Sequence, residues 1–160
     1  MQTRKGATMK ARKTRSNRSN RSNRSNRSKG SLTSFEKEIV VKFLELSNTI
    51  KLYHWKTMSY ATHIATDELY AKIGTNMDSF VEVLLGKRGD RVHLEKIKHI
   101  SLKDFNHVSD FKREIEKFKS YLVSLDTKPA LMTMSNADLF NIRDEILANL
   151  NQFLYLLTFK

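Results

Sequence analysis

Apolar residues recur at intervals of three and four along four segments of the chain, a spacing that predicts amphipathic helices. The first helix is predicted over about 35–57 and the second over about 60–87. The third follows Ser109, and the fourth runs from just after Ser135 or Asn136 to the C-terminus. No segment alternates apolar and polar residues well enough to predict a strand.

Four such helices over residues 34–160 predict an all-α fold, a four-helix bundle. Segment 126–134 contains the one proline and is predicted to be a loop. The connector between the second and third helices is mixed in character, and a short extra helix is predicted over 92–99.

Charge changes the picture at the N-terminus. The chain has a formal net charge of +12, yet residues after 33 hold 18 basic and 17 acidic side chains. Residues 1–33 contain no acidic residue. Their eleven basic residues are Arg4, Lys5, Lys10, Arg12, Lys13, Arg15, Arg18, Arg21, Arg24, Arg27 and Lys29.

This segment includes four successive Arg-Ser-Asn repeats and no large cluster of apolar residues, so residues 1–33 are predicted to be a disordered basic arm. Such an arm would bind DNA or another polyanion through phosphates, without reading sequence. A nuclear-import signal, an organelle presequence or a solubilising tail are the alternatives, and phosphorylation of its serines would weaken binding.

The chain contains no cysteine, which excludes disulfides and thiolate metal sites. It shows no apolar run of membrane-spanning length and no signal-peptide pattern, so an intracellular protein without a membrane partner is expected.

One face of the second helix carries residues able to ligate a metal. At about 100° per residue, four of them fall within an arc of roughly 100°, and the apolar stripe lies on a different side. A face of this kind, set among small and apolar residues, indicates a metal site shared with another subunit. The alternative is an ordinary solvated face. The four residues are His63, Asp67, Asp78 and Glu82.

Two imidazoles with carboxylates and no sulfur suit iron, zinc or manganese, if His54 joins this set. The Glu-x-x-His motif of sites built inside one ferritin bundle does not occur in the sequence.

The whole pattern resembles the core signature of Dps-like miniferritins. His54 is followed by Trp55, His63 precedes Asp67 by four residues and Asp78 by fifteen, and Glu82 follows four later. The dipeptide at 85–86, Leu-Gly, also matches. In this family the two histidines are about twelve residues apart with a glycine between, whereas the interval here is nine. Among these residues, His54 is the one whose position depends most on this shorter loop.

The resemblance implies a ferritin-like bundle with a di-iron site at a two-fold subunit interface. His54 and His63 would come from one chain, and Asp78 and Glu82 from its partner. Asp67 would be a further ligand or a neighbouring group, and Trp55 would lie beside the site.

The function implied is ferroxidase activity, in which Fe(II) is oxidised by peroxide or oxygen, with iron storage and protection of DNA held by the arm. The assembly would be a homo-oligomer, at least a dimer and up to a twelve-subunit shell, associated with DNA in a nucleoid, nucleus or virion. The alternative is an architectural, nucleic-acid-compacting or virion-associated protein, as in large DNA viruses, without active iron chemistry. A third reading is an interaction module whose arm is an import signal.

Overall fold

The computed structural model describes the backbone of residues 15–132 and 134–159, with side chains from residue 32 onward. Its elements are four α-helices and one 3-10 turn, and the described residues contain no strand. The prediction of an all-α fold with four helices is confirmed. The helices are α1 (Arg15–Lys56), α2 (Tyr60–Arg88), α3 (Val108–Ser124) and α4 (Ala137–Leu156), and the 3-10 turn covers Leu125–Thr127.

Helix α1 is longer than its apolar pattern predicts. A disordered arm was expected over 1–33, but the structure continues the helical backbone back to Arg15, and residues 1–14 lie outside the described part. Adding residues to a helix that is already packed costs far less than starting a new one. The side chains of all eleven basic residues of 1–33 also lie outside the described part.

Helix α1 runs antiparallel to both α2 and α3. Ser47 donates to the sulfur of Met77 on α2 at 3.5 Å. Tyr53 stacks on Phe111 of α3 with ring centroids 4.1 Å apart, and Phe43, ten residues earlier on α1, lies 6.2 Å from Phe118.

Helix α4 is likewise antiparallel to α2 and α3. Asn149 donates to Asn76 at 2.8 Å, while Lys87 near the end of α2 pairs with Asp138 at the start of α4. It follows that α2 and α3 run in the same direction, and that the chain must return along the bundle between them.

Residues 89–107 make this return without a helix. The predicted helix over 92–99 was wrong, since the described backbone there has only a turn at Glu95–Lys96. The connector must travel back along most of α2, whose 29 residues span about 43 Å at 1.5 Å each. As a helix it would reach only about 28 Å, but extended it reaches about 60 Å.

The core consists of the apolar stripes of all four helices, and aromatic contacts such as Phe43 with Phe80 and Phe111 with Phe153 join them. The stripe predicted for α2 is buried throughout, and its members are Leu69, Ile73, Met77, Phe80 and Leu84.

A buried ion pair ties α1 to the end of α2. Glu36 is fully buried and pairs with Arg88, which also donates to Asp90 at 2.8 Å. Gly89 then ends α2 with φ of +69°, a left-handed conformation that favours glycine. The pair fixes where the connector leaves the bundle.

The three connector histidines, His93, His99 and His107, are exposed. Hydrogen bonds to Glu95 and Asp90 raise the pKa of the His93 imidazole. None of the described helices is long and apolar enough to cross a membrane.

Candidate metal site on the outer face of the first two helices

The turn between α1 and α2 is short and well capped. Only Thr57–Ser59 separate the helices, and Ser59 accepts a hydrogen bond from the Thr62 backbone at 3.3 Å as the N-cap of α2. This tight hairpin brings the end of α1 against the first turn of α2.

His54 and His63 meet at this hairpin. Their rings stack with centroids 3.9 Å apart and planes tilted by 24°. The shorter interval between the two histidines therefore does not separate them. His54 is 7% exposed, and His63 is half-buried.

Each ring binds the backbone of the other histidine. His54 Nδ1 lies 3.1 Å from the His63 carbonyl, and His63 Nδ1 lies 3.0 Å from the His54 carbonyl. A carbonyl oxygen can only accept, so both Nδ1 atoms carry the proton and donate. In the neutral ring this leaves Nε2 with a free lone pair, the arrangement found in metal-binding histidines.

Thr66 supports this arrangement from within α2. Its buried hydroxyl lies 3.2 Å from His54 Nδ1 and donates to the backbone of Thr62 or His63, at 2.8 and 2.9 Å. Thr66 is not among the residues that the sequence pattern predicts for the site. Its position three residues after His63, on the same helix, was the one available signal.

Asp67 stands next to the histidines. Its Oδ1 is 3.8 Å from His54 Nε2 and 3.5 Å from the Lys51 ammonium. Lys51 also lies 4.8 Å from the centre of the Tyr70 ring. The structure therefore joins three of the predicted residues and adds a lysine that sequence reasoning missed, because the i, i+3 relation of Lys51 to His54 is too common to be informative.

Asp78 and Glu82 lie further along the same face of α2. Both are exposed, and neither side chain pairs with any other described residue. The helical rise places them about 22 and 28 Å from His63. Within one chain, the described residues thus form no cluster of three or more His, Asp or Glu that could hold a metal.

Trp55 does not pack into the bundle. Its side chain is 69% exposed and points from the end of α1, with the Lys51 ammonium 5.8 Å from its ring. Its predicted place beside a metal site stays a prediction.

The comparisons with known proteins concern the body of the chain. Residues 54–157 match a family described as "Family of unknown function (DUF5856)". The match starts at His54 and includes α2, α3 and α4, while the basic segment lies outside it. No curated protein and no solved structure matches the chain significantly.

Proposed function

We propose that this chain, which belongs to the DUF5856 family, is a ferroxidase of the miniferritin type whose iron site is shared between two copies. The observation that carries the proposal is the stacked histidine pair. Both rings donate through Nδ1 and keep Nε2 free, and His54 Nε2 lies 3.8 Å from an Asp67 carboxylate oxygen. Two unpaired acidic side chains lie on the same outer face.

An antiparallel two-fold pairing would complete the site. It would bring the His63 end of α2 in one copy opposite the Asp78 and Glu82 end in the other. The crossing point would then lie near Ala71 and Gly74, where small side chains allow two helices to approach closely. A site half-built in each chain accounts for exposed carboxylates that have no partner of their own.

The donor set suits Fe(II) as a substrate. Imidazole nitrogens and carboxylate oxygens without sulfur are ligands that iron accepts. Two Fe(II) ions would each lose one electron, and one hydrogen peroxide molecule would accept both electrons and two protons, so that its O–O bond breaks and two water molecules form. His54 and His63 would hold one side of the pair of ions, Asp78 and Glu82 the other, with Asp67 as the additional carboxylate.

The topology supports a ferritin-like bundle. Helices α2 and α3 run in the same direction and are joined by one long crossover, the connection that ferritin-like folds use. A homo-oligomer, at least a dimer and in its full form a twelve-subunit shell, is the assembly proposed on this basis.

The basic segment gives the proposal its second partner, DNA. Its charge supports phosphate binding without sequence preference. Many copies displayed on one assembly would act together, so weak arms would give tight binding. Oxidation of Fe(II) beside bound DNA would consume the reactants that form hydroxyl radicals.

An architectural protein without iron chemistry is the second candidate. It is favoured by the Lys51 ammonium, which already pairs with Asp67 and competes there with a metal cation. In this case the bundle would serve to display the basic segments.

Iron oxidation separates these two candidates. Fe(II) and peroxide added to the native protein should give ferric absorbance about 10- to 100-fold faster, or more, than in His63→Ala or Glu82→Ala, because loss of a group that only orients a metal ligand already costs this much. Glu68→Ala and His99→Ala are matched controls, since Glu68 lies off this face and pairs with Lys72, and His99 is exposed in the connector. Equal rates in all five proteins would refute the ferroxidase.

A further inference from the structure

A groove on the outer surface between α1 and α2 has no side chain of its own to fill it. It measures about 250 Å³, and Gly74 forms part of its wall, where an added Cβ would meet nothing within 4 Å. Its other lining residues are largely apolar. They include Val40, Leu44, Asp78 and Val81.

The size of the groove favours one aromatic side chain as its occupant. Small-molecule sites usually measure about 300–1,000 Å³ and enclose the ligand, whereas this groove is smaller and open along the surface. An aromatic ring supplies a large apolar contact and fits a shallow apolar groove.

The same surface exposes several large apolar side chains. Leu44 is 44% exposed and Ile64 is 48% exposed, and Trp55 and Tyr60 are more exposed still. These residues share the face that carries the histidines and the unpaired carboxylates. Clustered apolar residues with a polar rim mark protein contact surfaces.

The two ends of this face differ in charge. One end carries the two histidines and the Lys51–Asp67 pair, whose charges balance, whereas the other end carries the unpaired carboxylates of Asp78 and Glu82, which would repel each other in a parallel pair. Such a face matches a second copy of itself only when the second copy runs antiparallel. The side chain that fills the groove is therefore expected to come from a second copy of this chain.

We propose that Trp55 of one copy inserts into the Gly74 groove of a second copy, and that this contact sets the register of the pair. His54 stacks on His63, so Trp55 is level with the first turns of α2. The antiparallel pairing that places His63 opposite the Asp78 end also places Trp55 opposite the groove that Asp78 and Val81 line. Two such contacts form in each dimer, one on each side of the axis.

This inference rests on the two-fold pairing of the proposed function, but its test needs no iron. Trp55 is the only tryptophan, so intrinsic fluorescence reports its surroundings alone. In the native full-length protein, emission should be blue-shifted and protected from acrylamide, and dilution below the dissociation constant should shift it to the red. Emission that stays at the solvent-exposed wavelength in a demonstrated dimer would overturn the inference.

Two glycine substitutions give a matched pair of variants. Gly74→Leu fills the groove, while Gly86→Leu adds the same side chain about 120° away on the same helix, also in open space. Both changes favour the helix, so each variant should fold. Gly74→Leu should weaken self-association about tenfold or more in sedimentation velocity and expose Trp55, whereas Gly86→Leu should do neither.

Trp55→Ala provides the reciprocal measurement, because an exposed side chain is removed without loss of core packing. It should weaken association as much as Gly74→Leu does. Equal association of Gly74→Leu, Trp55→Ala and the native chain would refute the contact. If Trp55 is buried in the dimer but iron is not oxidised, the ferroxidase fails and this contact stands. If a dimer with exposed Trp55 oxidises iron, the ferroxidase stands and this contact fails.

Discussion

The hydrogen bonds of His54 and His63 determine which nitrogen each ring can offer to a ligand. Because each Nδ1 donates to the other residue's carbonyl, the two backbones and the two rings hold one another in place. Ligands that are positioned before the metal arrives lose less entropy on binding.

Sequence could predict that these histidine and carboxylate residues share a face, but not these bonds. The positions of Asp67, Asp78 and Glu82 on one side of α2 follow from helical geometry alone. The stacking of the histidines, by contrast, depends on how the short turn at 57–59 closes, and the role of Lys51 depends on the packing of α1 against α2. Such contacts between helices leave no periodic signal.

Replacement of Lys51 by methionine should strengthen metal binding. The ammonium lies 3.5 Å from Asp67 Oδ1, so a metal that binds there must displace it. A pair this exposed contributes at most about 1 kcal/mol, which predicts roughly two- to fivefold tighter binding of Mn(II) in calorimetry. Lys72→Met, which removes a comparable pair with Glu68 away from the site, is the control. If Lys51→Met binds Mn(II) no more tightly than the native protein does, the lysine does not compete with the metal.

At the scale of the elements, the apolar pattern predicted the body of each helix but not how the helices connect. The stripe from Leu69 to Leu84 repeats at helical spacing and is buried as predicted. The length of α1 and the extended connector were not predictable in this way. The length of α1 depends on extension of a helix that is already packed. The extended form of the connector depends on the distance that residues 89–107 must cover.

Loss of the Arg88 side chain should destabilise the bundle strongly. Glu36 is fully buried, so Arg88→Ala leaves its carboxylate without a cationic partner in the interior. Breaking a buried pair in this way costs about 3–5 kcal/mol. Urea unfolding followed by circular dichroism measures the loss.

The control for Arg88→Ala is Arg113→Ala, which removes an exposed i, i+3 pair with Asp110 and should cost less than about 1 kcal/mol. A double change to apolar residues, Glu36→Leu with Arg88→Met, should recover most of the stability. Similar losses in Arg88→Ala and Arg113→Ala would mean that the buried pair is not important for folding.

At the scale of the whole molecule, the excess basic charge and the proposed iron ligands lie in different parts of the chain. The basic segment of 1–33 precedes the packed bundle, and the body is nearly neutral. Binding of DNA and oxidation of iron should therefore be separable.

Deletion of residues 1–33 should abolish DNA retention in gel-shift assays and leave ferroxidase activity intact. The native protein should bind with a steep loss of affinity as salt rises, because each phosphate contact releases a counterion. The control replaces the eleven basic residues by glutamine, which removes the charge of the segment and keeps its length. Retention that survives either change would place the DNA contact on the bundle.

The central claim is that each iron site is built from two chains, and complementation tests it most directly. Chains with His63→Ala and chains with Glu82→Ala are inactive alone if the site is shared. When the two variants are coexpressed in equal amounts and pair at random, half of the dimers contain one chain of each kind. In such a mixed dimer, one of the two sites has its histidine and its glutamate intact. About a quarter of the native ferric absorbance rate should therefore return. If the mixture is no more active than the separate variants, while sedimentation shows that mixed pairs form, the shared site is contradicted.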